Sequence, residues 1–189
     1  HGITNLESLT NLPNLKVLWV HNNRLRNLSP VSKMKNLEAL YLDHNQIDDL
    51  TPLANCTKLR TLYLDNNRPK ELLPLANLKH LETLSLWHSR LLSIQGIEGL
   101  VKIRRLVLYA NRLDNIEPLK NLRQIQHLDL AQNLIVDIDV LKTMNKLQVL
   151  YLNQNKIVDL KALSEMHDLR VLNLQHNQIV DLKPLAGLT

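Results

Sequence analysis

Leu37-Glu38-Ala39-Leu40-Tyr41-Leu42-Asp43-His44-Asn45-Gln46-Ile47 is the stretch that decides how this chain reads. Leu40 and Leu42 alternate with Ala39, Tyr41 and Asp43, the period-two pattern of a short strand with one side toward a core and the other toward water. The same stretch returns every 22 residues in both directions. Leu15, Leu37, Leu59, Leu81, Ile103, Ile125, Leu147 and Leu169 open it, and Asn23, Asn45, Asn67, Asn111, Asn133, Asn155 and Asn177 recur within it, with Ser89 in the one missing slot. A fixed period of this size signals stacked units, because one unit cannot bury its apolar edge without neighbours. Strands one period apart must then lie side by side and run parallel.

The second half of each unit has another rhythm. Leu50, Leu53, Cys56 and Leu59 are apolar at every third residue, the spacing of a tight 3₁₀ turn. Pro30, Pro52, Pro74, Pro118 and Pro184 stand one place before an apolar residue there, and proline suits the start of a helical turn, where its missing N–H is not needed. Ser29 and Thr51, just before two of these prolines, are expected as N-caps. The column Asn27, Asp49, Glu71, Ser93, Asn115, Asp137, Asp159 and Asp181 is mostly acidic and precedes the same turns, where carboxylates favour exposed N–H groups.

Aligned on its own period, the chain divides into a tail (1–14), seven full units (15–36, 37–58, 59–80, 81–102, 103–124, 125–146, 147–168) and a cut unit (169–189). No linker interrupts them. Residues 1–189 are therefore expected to form a single domain of about eight repeats, a fragment of a longer chain without visible caps. The recurring asparagine is expected to be structural, its amide satisfying backbone groups of the turn and of the neighbouring unit in a buried ladder. With Ser89 out of pattern and Pro69 where an aliphatic residue belongs, 59–102 should be the least regular part.

The spacing of Leu37, Leu40, Leu42, Asn45 and Ile47 matches L-x-x-L-x-L-x-x-N-x-L, and the chain resembles a leucine-rich-repeat protein along its whole length. The pieces NQIDDLTPLANCTKL, LLPLANLKHL and NQIVDLKPLAGLT are similar to the 22-residue repeats of bacterial internalins, surface or secreted proteins that grip host receptors. A regulatory subunit of protein phosphatase 1, an intracellular protein, carries similar repeats. The resemblance implies an α/β repeat fold: a right-handed curved solenoid with a parallel β-sheet on its concave face and 3₁₀ or irregular turns on its convex face. It also implies a binding role for the concave side, and a bacterial secreted or surface location over an intracellular scaffold. Units 81–102, 125–146 and 147–168 depart from the pattern, with Gly96, Val140 and Ala162 in place of the proline.

Composition excludes several classes. Hydrophobic residues make up 44% of the 189 and charged ones 22%, and no apolar run approaches the roughly 18 residues of a membrane span. No signal peptide is visible. The single cysteine, Cys56, rules out an internal disulfide, and its column mates Met34, Leu78, Leu100, Leu122, Met144, Met166 and Leu188 identify it as a small buried apolar residue. No nucleophile elbow, phosphate-binding loop or paired-cysteine metal motif occurs, and the eight histidines scatter over different columns. The chain therefore reads as a non-enzyme with no cofactor and no metal site.

Function has to lie in columns the fold does not dictate. All six aromatic residues, Trp19, Tyr41, Tyr63, Trp87, Tyr109 and Tyr151, fall at outward strand positions. Neighbouring parallel strands lie roughly 4.8 Å apart, so Trp19, Tyr41 and Tyr63 should form one row, continued a column over by Trp87 and Tyr109. Tyrosine stacks can serve only to join strands, but exposed tryptophans are characteristic anchors of protein interfaces. The expected site is thus Trp19, Tyr41, Tyr63, Trp87 and Tyr109, with a polar rim of Asp43, Asp65, His44, His88, Arg24, Arg68, Arg90 and Arg112, and the expected partner is a protein or peptide. A scaffold segment that uses its edges or convex side is the alternative. Single-stranded nucleic acid is a weaker one: net charge is +5 and arginines share a column beside the rings, but Asp43 and Asp65 intrude. The column Lys16, Glu38, Arg60, Glu82 and Arg104 alternates in sign and reads as a register-keeping ladder.

Overall fold

A computed structural model of the chain describes residues 2–188. Eight three-residue strands make one open, curved parallel sheet in sequence order: β1 (Val17–Trp19), β2 (Ala39–Tyr41), β3 (Thr61–Tyr63), β4 (Thr83–Ser85), β5 (Arg105–Val107), β6 (His127–Asp129), β7 (Val149–Tyr151) and β8 (Val171–Asn173). Every strand pairs with its successor at a register of one period, so Leu18 lies beside Leu40, Leu40 beside Leu62 and Leu62 beside Leu84. These leucines point inward and are fully buried from Leu40 to Leu150. Backbone bonding continues past each strand, as in Leu42 N–H to Tyr63 O and His44 N–H to Asp65 O, each 2.8–2.9 Å.

The outer side is built from short 3₁₀ turns such as Thr51–Asn55, Glu117–Leu119 and Asp139–Thr143. Such a turn needs more room per repeat than the spacing of paired strands, so the stack bends with its sheet on the concave side. Ser29 and Thr51 do not cap these turns. They are the first residues within them, and no side-chain cap bond closes either. The cap comes two residues earlier, where Oδ1 of Asn27, Asp49, Asn115, Asp137, Asp159 and Asp181 accepts the N–H of the residue two places on, each at 2.8 Å. A short side chain at that place reaches the N–H that a hydroxyl inside the turn cannot.

The asparagine ladder is present. Asn133 is buried; its Nδ2 donates to the carbonyls of Leu108, Leu130 and Ala131 at 3.0–3.2 Å, and its Oδ1 accepts Leu113 N–H at 3.0 Å. Each ladder asparagine thus accepts the N–H found 20 residues earlier. This rule explains the missing one. The residue 20 places before Ser89 is Pro69, which has no N–H to offer, so the slot lacks both halves of the bond. Ser89 is instead served by Asn111, whose Oδ1 accepts the N–H of both Ser89 and Leu91.

The irregularity expected over 59–102 is found only in its second half, since 59–80 keeps its strand and a 3₁₀ turn at Leu73–Leu75. Residues 86–102 form no 3₁₀ helix, Arg90 joins the residues of positive φ, and Gly96 adopts φ +105°. A Cβ at Gly96 would lie 2.6 Å from backbone atoms of Leu72 and Leu73, so only glycine lets this repeat settle on its predecessor. Cys56 is buried as expected, and burial pushes its thiol up to about 11.

Candidate functional site

Strand geometry places Trp19, Tyr41 and Tyr63 at the same outward position of β1, β2 and β3. Their rings stack in sequence, with centroids 4.0 Å apart for Trp19 and Tyr41 and 5.2 Å for Tyr41 and Tyr63. Trp19 ends the row 63% exposed. The row then stops, because Ser85 and Val107 hold the corresponding places on β4 and β5.

A second group begins two residues beyond the end of the strand. Trp87 meets Tyr109 at 6.0 Å and His88 at 6.1 Å, and its indole also lies edge-on to His44, 6.2 Å away and two repeats earlier. Trp87 therefore leans back across the repeat that carries Asp65. The continuous track read from the sequence is two aromatic clusters, with a shallow hollow of about 340 Å³ lined by Tyr63, Asp65, Ser85, Trp87, Arg105, Val107 and Tyr109.

Asp65 requires a correction. It was expected on a polar rim, but only 6% of it is exposed. Its Oδ1 accepts the Ser85 hydroxyl at 2.6 Å and Trp87 N–H at 2.9 Å, which fixes the loop that carries the indole. Burial pushes its carboxyl up to about 7 despite these two bonds, and the neighbouring Asp43 carboxylate adds to the rise. Asp43, half-buried, accepts Asp65 N–H at 3.2 Å.

His88 stays on the rim. It belongs to a column, Asn22, His44, Asn66, His88, Ala110, Gln132, Gln154 and His176, in which every residue has φ between 52° and 57°. That left-handed step swings the chain off the sheet. His88 Nδ1 lies 2.8 Å from Asn66 Oδ1, and Asn66 Nδ2 lies 3.5 Å from His44 Nε2, a polar chain over three repeats.

The arginines stand beyond this step, which is a second correction. Arg68 lines a separate hollow with Arg26, Gln46 and Asp48, and Arg90 lines another with Lys70, Leu91 and Leu92. Arg112 and Arg24 occupy the same place in their own repeats, and all four are exposed. They form a flank and are not interleaved with the rings. The cation in the aromatic hollow is Arg105, which sequence reading passed over; its only signal was a lone cation in the outward column Val17, Ala39, Thr61, Thr83, Arg105.

The sign-alternating column contributes two ion pairs, Lys16–Glu38 at 2.9 Å and Arg60–Glu82 at 2.6 Å, both well exposed. Among the described residues there is no cluster of side chains able to hold a metal ion, and no helix long and apolar enough to cross a membrane.

Comparison with known proteins matches this architecture. Family models described as leucine-rich repeats match residues 35–77 in one case and 101–157 and 123–179 in another. No curated protein matches the chain by sequence. Among solved structures, an internalin from Listeria monocytogenes superposes with a TM-score of 0.96 at 29% identity, covering 100% of this chain and 56% of its own. A leucine-rich-repeat protein of Leptospira interrogans gives 0.91 at 25% identity, covering 98% of this chain and 50% of its own. This chain therefore spans about half the length of those two proteins. Internalin C2 of Listeria monocytogenes gives 0.90 at 34% identity over 92% of this chain and 76% of that one. Repeat spacing, asparagine ladder and these matches agree: the chain belongs to the leucine-rich-repeat family and is internalin-like in its repeats.

Proposed function

We propose that the concave face holds a protein or peptide partner, anchored by Trp19, Tyr41 and Tyr63 on one side and by Trp87 and Tyr109 on the other. Leucine-rich-repeat proteins are in general protein-interaction modules; the concave location and these residues are our reading. The observation that carries it is the one-sided placement of every ring. The inward strand positions carry only aliphatic side chains, whereas Trp19 is open to solvent and Tyr41 and Tyr63 beside it are half-buried on the same face. Large, rigid rings with polar tips give contact area at low entropic cost, and such residues concentrate binding energy. Arg105 and His88 supply polar contacts around the second cluster. The likeness to Listeria internalins supports a bacterial surface or secreted setting, and residues 1–189 act in this reading as one recognition unit without catalysis.

A photo-crosslinking residue at Val107, inside the hollow, should capture a defined partner, whereas one at Arg123, beyond the outer turn Glu117–Leu119, should not. With that partner in hand, Trp87→Ala should weaken binding by at least ~2 kcal/mol while circular dichroism stays unchanged. Capture only from Arg123, or full affinity in the folded variant, would overturn the concave-face reading.

A further inference from the structure

The flank beyond the left-handed step presents two exposed columns; the first is tied to the preceding repeat by the N–H groups of Arg24, Gln46, Arg68, Arg112, Leu134 and Lys156, while Arg90 alone departs from this backbone, at φ 58°. Its first column runs Arg24, Gln46, Arg68, Arg90, Arg112, Leu134, Lys156 and its second Arg26, Asp48, Lys70, Leu92, Asp114, Val136, Val158. All but the half-buried Asp48 are exposed. The two halves of this wall differ in chemistry: the first five repeats are mainly basic, while the sixth and seventh show Leu134, Val136 and Val158 to solvent.

Arg68, Arg90 and Arg112 follow one another on consecutive repeats, and none has a carboxylate within salt-bridge distance among the described residues. Like charges on adjacent strands repel. The column Lys16, Glu38, Arg60, Glu82 and Arg104 avoids that repulsion by alternating its signs. Where the same scaffold stacks three guanidinium groups unpaired, an anion from outside relieves the repulsion, and planar forks suit carboxylates. The apolar half identifies the kind of anion. Single-stranded nucleic acid would call for rings, and this flank has none; a duplex or a sulfated polysaccharide would gain nothing from Leu134, Val136 and Val158.

We propose that this flank is a second docking surface, separate from the concave face, for an extended polypeptide segment. The segment places carboxylates over Arg68, Arg90 and Arg112 and aliphatic side chains over Leu134, Val136 and Val158. Five repeats at roughly 4.8 Å per step span about 19 Å, the reach of about six extended residues. The acidic end lies toward the third repeat and the apolar end toward the seventh. Charge steers the encounter, and the aliphatic end sets the order in which the segment must lie.

Two fluorescent peptides of equal composition test this, one with glutamates grouped at one end and leucines at the other, offered in both chain directions, and one with the two alternating. A heparin oligosaccharide and a single-stranded oligonucleotide serve as further probes. The grouped peptide in one direction should bind at least tenfold more tightly than the alternating one by anisotropy. Arg90→Glu with Arg112→Glu should remove at least tenfold of that affinity, and Val136→Ser with Val158→Ser should abolish the preference for grouping. Trp87→Ala should leave it within twofold, which separates this surface from the concave one. Equal binding of both peptides, heparin or oligonucleotide binding in place of the peptide, or indifference to the arginine changes would each overturn the proposal.

Discussion

Burial sets the chemistry of Asp65. Its carboxyl is pushed up to about 7 in the folded chain, against 3.8 when free, because burial between repeats keeps water from it and the Asp43 carboxylate lies close by. Below pH 3.8 the proton is bound in both folded and unfolded chains, and nothing is lost. Between 3.8 and about 7 the unfolded chain gives up the proton and the folded one keeps it, so stability falls as pH rises through this window. Above about 7 the penalty is complete and constant. Asp65→Asn keeps an oxygen for the Ser85 hydroxyl and Trp87 N–H and carries no charge. It should therefore be more stable than the parent at pH 8, with the difference closing toward pH 4; urea midpoints at the two pH values check this. A gap that widens on acidification would contradict the assignment. Pro69 and Ser89 make a second residue-scale case. Ser89→Asn alone supplies an acceptor with no donor, whereas Ser89→Asn with Pro69→Ile restores both. The double change should show a favourable coupling of about 1 kcal/mol in a denaturation cycle, and simple additivity would refute the pairing.

Each repeat is a strand, a left-handed step, a flank and an outer turn, and the repeat of β4 departs furthest from this plan. Its outer segment has no 3₁₀ helix and depends on Gly96 for close approach to Leu72 and Leu73. Gly96→Ala adds a Cβ into backbone at a φ unfavourable to alanine. It should cost about 2–3 kcal/mol, and hydrogen exchange should quicken first at Leu100 and Ile103, whose amides close the following turn. Loss spread evenly over all repeats would argue against a local origin. The strands were legible in the sequence because two rhythms, two and 22, name the inward residues without any knowledge of neighbours. Helical turns every third residue were legible for the same reason. Their caps were not, since a hydroxyl next to proline and an aspartate two places earlier make equally good sequence signals, and only geometry shows which reaches the amide. Position on the wall was also hidden. Asp65 has an outward address, yet a tryptophan one repeat later folds back over it, and the arginines share repeats with the rings but lie past the turn in the backbone.

At the scale of the whole molecule, the sheet gives the chain a concave wall of rings and Arg105, and the left-handed step gives it a flank of guanidinium groups and aliphatic side chains. Under the two proposals above, separate chemistries on separate walls would allow two contacts at once without competition. The stack itself is held by bonds that cross from each repeat to the one before, and this limits how it can be shortened. Excising 103–124 would bring the amide of Leu91 in front of Asn133, which accepts it as Asn111 did. Excising 59–80 would bring the amide of Ile47, formerly met by Asn67, in front of Ser89, whose short side chain does not offer the same acceptor. The two trimmed proteins lose the same number of residues, yet the second should be less stable by roughly 1–3 kcal/mol, the cost of a stranded amide. Equal melting of the pair would count against this. The units are thus not interchangeable bricks: the joint at Pro69 and Ser89 is keyed, and evolution or engineering can slide repeats in and out of this solenoid only where lock and key travel together.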